Sequence, residues 1–209
     1  MNEVIRMYEN PTADALLRAA RTLFARLGYH GASVRAIAQE AGANLGAITY
    51  HFGTKGNLYD AVIGRVLAPS RERLAAAAAL PAPPLDRVEA VVRAFFAFLA
   101  ENPDLPQFIM QQLMGSRPMP EAARQTLQAN LGLLAGLISE GQSDGSVRRG
   151  DAQMMALSIV AQPVYLTVAQ PILREVLVVD QGEPEARSRL VESVVSFVRA
   201  ALSADSERD

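Results

Sequence analysis

The sequence predicts an all-α protein, and two observations carry that prediction. Ala, Leu, Arg, Glu and Gln are abundant, whereas the β-branched and aromatic residues that favour strands are sparse outside a few Val-rich stretches. Apolar residues also recur at spacings of three and four, which is the period of a helix with one buried face. About nine such segments follow one another along the chain. Half of the residues are apolar, enough for a sizeable core.

The composition also excludes several classes of protein. The chain has no cysteine, so it forms neither a disulfide framework nor a thiolate metal site, and its two histidines, His30 and His51, do not indicate a zinc site. The first residues do not form a basic segment followed by an apolar one, and no apolar run reaches about 18 residues. We therefore expect a soluble cytoplasmic protein without a membrane partner, a metal or a cofactor.

The first part of the chain is predicted to form three short helices. Thr12 is a candidate N-cap of the first helix, and Gly28 is expected to end it. Ser33 caps a second helix, which ends at Gly42, where a left-handed turn residue is expected. Asn44 caps a third helix almost immediately afterwards.

The second and third of these helices have the spacing of a helix-turn-helix. Ala38 is small where the next helix crosses it, Gly42 places no Cβ in the turn, and Ile48 fits a core shared with the first helix. The other face of the third helix is then free to enter a major groove, which is about 12 Å wide. We predict a DNA-binding domain over residues 1–56 and a helical ligand-binding and dimerisation domain over residues 57–209.

The distribution of charge agrees with this division. Residues 1–56 carry six Lys and Arg against four Asp and Glu, whereas residues 57–209 carry fourteen against eighteen. A mildly basic head on an acidic body is typical of a protein that binds nucleic acid through the head, although the difference is small.

A set of residues between about 12 and 60 matches a known pattern. The set comprises Gly28-Tyr29, Ser33-Val34-Arg35-Ala36-Ile37-Ala38, Ala41-Gly42, Gly46-Ala47-Ile48, Tyr50-His51-Phe52 and Lys55. It resembles the DNA-binding head of the TetR/AcrR family of transcriptional regulators, and residues 44–55 are similar to its CecR-like branch, in which Thr or Asn stands at the position of Thr49. The resemblance implies a homodimer that binds a palindromic operator, and we expect a repressor that a small molecule releases, with an activator as the alternative.

The resemblance also implies which residues contact DNA. Lys55, the only lysine in the chain, is expected at a backbone phosphate. In the alternative reading Lys55 lies on a solvated face by chance, Tyr50 packs against the core and His51 caps helix carbonyls. The predicted phosphate contacts are Ser33, Arg35, Tyr50, His51 and Lys55, and the predicted contacts to base edges or a thymine methyl are Asn44, Ala47 and Thr49.

Dimerisation follows from the small number of base pairs that one head reads. The last two long helices have Val-rich faces whose spacing allows an intersubunit four-helix bundle, and a purely internal core is the alternative. The predicted interface residues are Val160, Val164, Val168, Val191, Val194, Val195 and Val198.

We expect the effector to be small and mostly apolar and to bind between the helices of residues 85–170. Aromatic and thioether side chains suit an adaptable pocket, and polar groups in apolar stretches need partners, which a ligand, solvent or one another could supply. Pro163 is expected to kink the helix beside this pocket. The predicted lining is Phe95, Phe98, Phe108, Met110, Gln111, Met114, Gln162 and Tyr165.

The sequence also leaves two alternatives to DNA binding. Residues 141–145 match the G-x-S-x-G pattern of a hydrolase with Ser143 as nucleophile, but the preceding segment is predicted as helix rather than strand, and both histidines lie upstream. The second rival is a helical adaptor that binds only protein. Salt-dependent binding of duplex DNA separates the adaptor from a regulator.

Overall fold

The computed structural model describes residues 10–115, 117–176 and 182–204. These ranges contain ten helices, which confirms the all-α prediction. They are α1 (Pro11–Gly31), α2 (Val34–Glu40), α3 (Gly46–Phe52), α4 (Lys55–Ala78), α5 (Pro84–Glu101), α6 (Leu105–Met114), α7 (Glu121–Asp144), α8 (Ala152–Val168), α9 (Gln170–Val176) and α10 (Pro184–Leu202). The sequence pattern does not predict the boundary between α8 and the short helix α9. Within the same ranges the only β feature is an isolated bridge between Val147 and Ser203.

The chain divides into two compact units. The first unit consists of the described residues up to Leu67 together with Gln107–Arg124, and the second consists of Ala68–Pro106 together with the described residues from Gln125 onward. The domain boundary after residue 56 stays a prediction, because the units are defined by contacts and not by function. The inclusion of Gln107–Arg124 in the first unit was not expected from the sequence.

In the first unit, α1 is the helix on which the short helices pack. It contacts both α2 and α3, which also contact each other. Leu16, Ala20 and Phe24 of α1 are buried, as are Ile37 of α2 and Ile48 of α3. Burial of these side chains holds the three helices together and leaves the opposite face of α3 open to solvent.

The two ends of α1 differ from those predicted. Asn10, not Thr12, is the N-cap, because its Oδ1 accepts hydrogen bonds from the amides of Thr12 (3.0 Å) and Ala13 (3.4 Å). At the other end Gly28 leaves the helical conformation, as predicted, but it is not the last residue of α1. Its positive φ of 72° makes a kink, and the helix resumes as far as Gly31.

In the second unit, α5 is central. It packs against both α8 and α10, and Val88 and Val92 of α5 belong to the buried core. Salt bridges also join α5 to α10, between Arg199 and both Glu89 and Asp86 and between Arg93 and Glu192. Because these ion pairs are largely exposed, the apolar core contributes most of the stabilisation.

The helix α8 runs without a break through Pro163, whose side chain is buried in the second unit. Thr167 Oγ1 donates to the Pro163 carbonyl at 2.8 Å. Across the ranges that the structure describes, no single helix has the length and apolar composition to cross a membrane. The pair α8 and α9 would have them together, but it is bent by 70°.

The N-cap of α1 gives a direct test of this structure. We expect Asn10→Ala to lower the free energy of unfolding by about 1 kcal/mol, because two amide donors lose their acceptor. Urea denaturation followed by circular dichroism measures this change. Thr12→Ala is the matched control and should change the stability much less. Equal losses for the two variants would contradict the assignment of Asn10 as the cap.

Candidate DNA-binding site

Local hydrogen bonds cap the starts of α2 and α3. Ser33 Oγ accepts from the Ala36 amide at 3.1 Å, and Asn44 Oδ1 accepts from the Ala47 amide at 2.9 Å. Both predicted caps are therefore confirmed. Between them Gly42 has a φ of 64°, a conformation that strains any residue with a Cβ. These contacts set the crossing of the two helices.

The outer face of α3 is exposed and carries polar groups. The Tyr50 side chain is 83% exposed, which argues against the alternative that it packs in the core, and Thr49 is exposed beside it. The His51 ring lies with its centroid 4.8 Å from that of Tyr50, in an edge arrangement. The phenol, the hydroxyl and the imidazole are groups that bind phosphate oxygens and base edges.

The predicted base contact of Ala47 is wrong, and the side chains of Asn44 and Ser33 already form capping bonds. Ala47 is only 8% exposed, so its methyl packs inside the unit with Ile48 and is not available to a thymine methyl. The oxygens of Asn44 and Ser33 already accept capping bonds, which leaves the Asn44 amide group and the Ser33 hydroxyl hydrogen to donate. Arg35 is exposed on α2.

Lys55 is the first residue of α4 and follows the end of α3 after Gly53 and Thr54. Thr54 Oγ1 accepts from the Asn57 amide at 3.1 Å, and Asn57 Nδ2 donates to the Phe52 carbonyl at 3.0 Å, so the start of α4 is tied to the end of α3. Lys55 Nζ lies 4.6 Å from the centroid of the Tyr29 ring. This cation–π contact holds a flexible side chain in place.

Tyr29 is part of an aromatic cluster that the sequence did not predict. Its ring centroid lies 6.0 Å from that of Phe24 and 5.3 Å from that of Tyr59. Arg117 covers this cluster, with Cζ 4.0 Å from the Tyr29 centroid and 5.3 Å from the Tyr59 centroid. Arg117 Nη2 also lies 3.3 Å from Asp60 Oδ1. No spacing rule connects Arg117 to the helix-turn-helix, because it lies far along the chain.

Comparison with known protein families decides the identity of this fold. The family described as bacterial regulatory proteins, tetR family, matches residues 16–62. The family described as tetracyclin repressor-like, C-terminal domain, matches residues 84–198, more than half of the chain. The chain belongs to the TetR family.

Individual relatives of this TetR-family protein extend over most of its length. The transcriptional repressor BepR of Brucella suis biovar 1 (strain 1330) is 26% identical over 200 residues, 90% of this chain and 92% of BepR. The transcriptional activator FasR of Mycolicibacterium smegmatis is 29% identical over 199 residues, 95% of this chain and 86% of FasR. The crystal structure of FadR from Bacillus subtilis with stearoyl-CoA has a TM-score of 0.74 and 20% identity, covering 90% of this chain and 98% of FadR.

The family match confirms that this protein is a DNA-binding transcriptional regulator. The narrower assignment to a CecR-like branch stays a prediction. The hydrolase alternative lacks its geometry, because Ser143 lies inside the last turn of α7 and donates from Oγ to the Ser139 carbonyl at 2.9 Å. A nucleophile elbow would place the serine between a strand and a helix.

The residues predicted to line an effector pocket lie in both units of this TetR-family regulator. Four of them, Phe108, Met110, Gln111 and Met114, belong to the first unit, and Phe95, Phe98, Gln162 and Tyr165 belong to the second.

Within the first unit the predicted lining residues have other roles. Gln111 Nε2 donates to the carbonyls of Phe24 (2.9 Å) and Ala25 (3.3 Å), so its amide is already bonded to α1. The Phe108 ring lies 6.4 Å from that of Tyr59. Met114 is exposed. These contacts place α6 in the packing of the first unit, and the predicted pocket stays a prediction for these residues.

The described part of the second unit of the TetR-family regulator contains a groove and a smaller cavity. A groove of about 350 Å³ lies between α8 and α10 and includes Met154, Gln162 and Phe197 in its lining. A smaller cavity of about 180 Å³ is lined by Phe96, Leu99, Ala100, Pro103, Pro106, Thr167, Gln170, Gly182, Arg187 and Leu190. Of the eight predicted residues, Gln162 lines the groove and none lines the smaller cavity.

The predicted dimer face of this regulator is also corrected in part. Val194, Val195 and Val198 are buried in the core of their own unit, with Val198 only 1% exposed, and Val160 and Val191 pack against the same core. The internal-core alternative therefore holds for Val194, Val195 and Val198, whereas Val160 and Val191 are only partly buried and their place in an interface stays a prediction. Val164 and Val168 are partly buried. Helical periodicity identified an apolar face but could not show which partner covers it.

The role of Lys55 can be tested in this TetR-family regulator. We expect Lys55→Ala to weaken binding to specific and non-specific duplexes alike and to lower the slope of log K against log salt by about one unit per head. Fluorescence anisotropy of a labelled duplex at several NaCl concentrations measures both quantities. Arg71→Ala, an exposed cation sixteen residues later in the sequence of α4, is the control. A slope equal to that of the control would exclude a phosphate contact by Lys55.

Proposed function

We propose that this regulator is a homodimeric repressor that occupies a palindromic operator and leaves it when a small effector binds. DNA binding is supported chiefly by the exposed outer face of α3. Capping hydrogen bonds fix the starts of α2 and α3, and Lys55 begins the next helix. We assign phosphate contacts to Ser33, Arg35, Tyr50, His51 and Lys55, and base contacts to Asn44 and Thr49. The site of action is then the cytoplasm, where operator DNA is accessible.

Repression by occlusion is the mode that we propose, supported by the relative BepR, which is named a repressor. FasR, a relative of similar identity, is named an activator. Selection of bound sequences from random duplexes, followed by a reporter assay with the selected operator, tests both parts of the proposal. Loss of the gene should raise reporter expression. A fall in expression would identify an activator instead.

For the dimer interface we propose a surface that the sequence did not identify. Met154, Leu157, Ala161 and Tyr165 lie at spacings of three and four on α8, and all four are exposed. Phe197 of α10 is 62% exposed and lines the groove between the two helices. We name this set the α8/α10 stripe.

A second copy of the chain is the occupant that we propose for the α8/α10 stripe. A helix face with several large apolar side chains exposed is unfavourable in water unless a partner covers it. A two-fold axis through the stripe would bring the same residues of both copies together, and two heads are needed to read a palindrome. The buried valines then stabilise each subunit, and the stripe joins the two subunits.

For the effector we propose an acyl chain with an anionic head, bound in the cavity of about 180 Å³. Phe96, Leu99 and Leu190 provide apolar walls that suit the chain. Arg187 lines the same cavity, and within the described part of the chain no carboxylate forms an ion pair with it. A guanidinium beside apolar walls suits a carboxylate or phosphate head. The stearoyl-CoA bound by the FadR neighbour supports this class of ligand.

The dimer proposal is tested by placing a charge in the α8/α10 stripe. We expect Phe197→Glu to give monomers with poor operator affinity, because a carboxylate would be buried at the interface without a partner. Ser188→Glu, on the opposite side of the same helix and exposed, is the control and should stay dimeric. Analytical ultracentrifugation distinguishes the two states. A Phe197→Glu variant that still sediments as a dimer would place the interface elsewhere.

The effector proposal is tested with two compounds of equal chain length, decanoate and decanol. We expect decanoate to bind more tightly by calorimetry and to release the duplex. Arg187→Gln should weaken decanoate roughly tenfold, because a charge-assisted hydrogen bond is lost, and should leave decanol unchanged. Arg189→Gln, an exposed cation on the same helix, is the control. Equal binding of decanoate by both variants would remove Arg187 from the site.

A further inference from the structure

We propose that Arg117 is a second DNA-binding cation, which forms with Lys55 a two-cation site for the phosphate backbone. Arg117 lies outside residues 16–62, the part of the chain that matches the DNA-binding family. The inference rests on DNA binding by the first unit and adds to it a residue from the segment between α6 and α7.

The first observation is that both cations contact one ring. Lys55 Nζ lies 4.6 Å and Arg117 Cζ 4.0 Å from the Tyr29 centroid. The Arg117 guanidinium also lies against the first turn of α4, because a Cβ built on Gly56 would be 3.6 Å from Arg117 Nη2. Arg117 is thus placed at the same turn that carries Lys55, although it comes from a distant part of the chain.

The second observation is an excess of positive charge at this place. Asp60 is the one carboxylate paired with Arg117 in the described ranges, through a single contact of 3.3 Å, and Lys55 has no carboxylate partner there. Burial and the charge of Arg117 lower the pKa of the Lys55 ammonium below its ordinary value. Two like charges held close together repel each other, and an anion that binds between or beside them relieves this repulsion.

The third observation concerns unused hydrogen-bonding capacity. Among the described residues the buried Arg117 Nε has no acceptor, and the Arg117 side chain is 30% exposed, so part of it faces solvent. A guanidinium presents five N–H donors in a fork that matches phosphate oxygens. One pairing with Asp60 leaves donors for a phosphate.

The segment that carries Arg117 is held against α1 and α4 at further points. Gln111 Nε2 donates to the Phe24 carbonyl, Phe108 packs on Tyr59, and Gln112 Nε2 donates to the Arg117 carbonyl at 3.0 Å. The guanidinium is therefore positioned before DNA arrives, which reduces the entropy lost on binding. These contacts distinguish Arg117 from an arginine on a mobile surface loop.

The experiment compares Arg117→Gln, Arg117→Lys and the control Arg124→Gln, an exposed arginine in the first turn of α7 that pairs with Glu121. Affinity for a fluorescein-labelled duplex of fixed arbitrary sequence is measured by anisotropy at several NaCl concentrations. We expect Arg117→Gln to bind roughly tenfold more weakly, with a slope lower by about one unit per head, and Arg117→Lys to keep the wild-type slope. Thermal unfolding of each variant identifies any loss of folding.

The double variant Lys55→Gln with Arg117→Gln separates a direct contact from support of Lys55. If each cation neutralises phosphate charge, the double variant loses about two units of slope per head. A double variant that equals Lys55→Gln alone would overturn the proposal, as would an Arg117→Gln slope equal to that of Arg124→Gln or of Arg117→Lys. Absence of salt-dependent binding by the wild type would instead contradict the DNA-binding function itself.

Discussion

The aromatic cluster of Phe24, Tyr29 and Tyr59 is the contact on which the first unit depends. It joins the end of α1 to α4, with the rings of Phe24 and Tyr59 packed edge to face at 5.0 Å between centroids. Such a pair contributes packing beyond its buried area. The kink at Gly28 is part of the same arrangement, because it lies directly before Tyr29.

Two cations, Lys55 and Arg117, lie over the Tyr29 ring of this cluster. Lys55 and Arg117 come from segments that are far apart in the chain, but both contact Tyr29. A ring that is fixed by its neighbours can hold a flexible ammonium and a guanidinium at defined positions. If both cations bind the backbone, DNA affinity depends on the placement of the segment between α6 and α7 as well as on the helix-turn-helix.

In the second unit the main constraint is different: α8 and α10 each have a buried face and an exposed face. α8 is apolar on more than one side, and α10 carries Phe197 outside its buried face. The valines of α10 pack against α5 in their own subunit, and Phe197 remains in contact with solvent. Ion pairs between α5 and α10 add little on an exposed surface. The apolar surface left open, together with the groove beside it, is therefore the part available to a partner.

The sequence by itself determined the local structure of this protein. It predicted the helices, the caps at Ser33 and Asn44 and the turn at Gly42, because each depends on residues within one or two turns of each other. It also indicated the DNA-binding family. Only the tertiary structure decided that Ala47 is buried, that Gln111 bonds to α1, and that Arg117 lies beside Lys55. These facts depend on which helices pack together, and periodicity gives the apolar face of a helix without giving its partner.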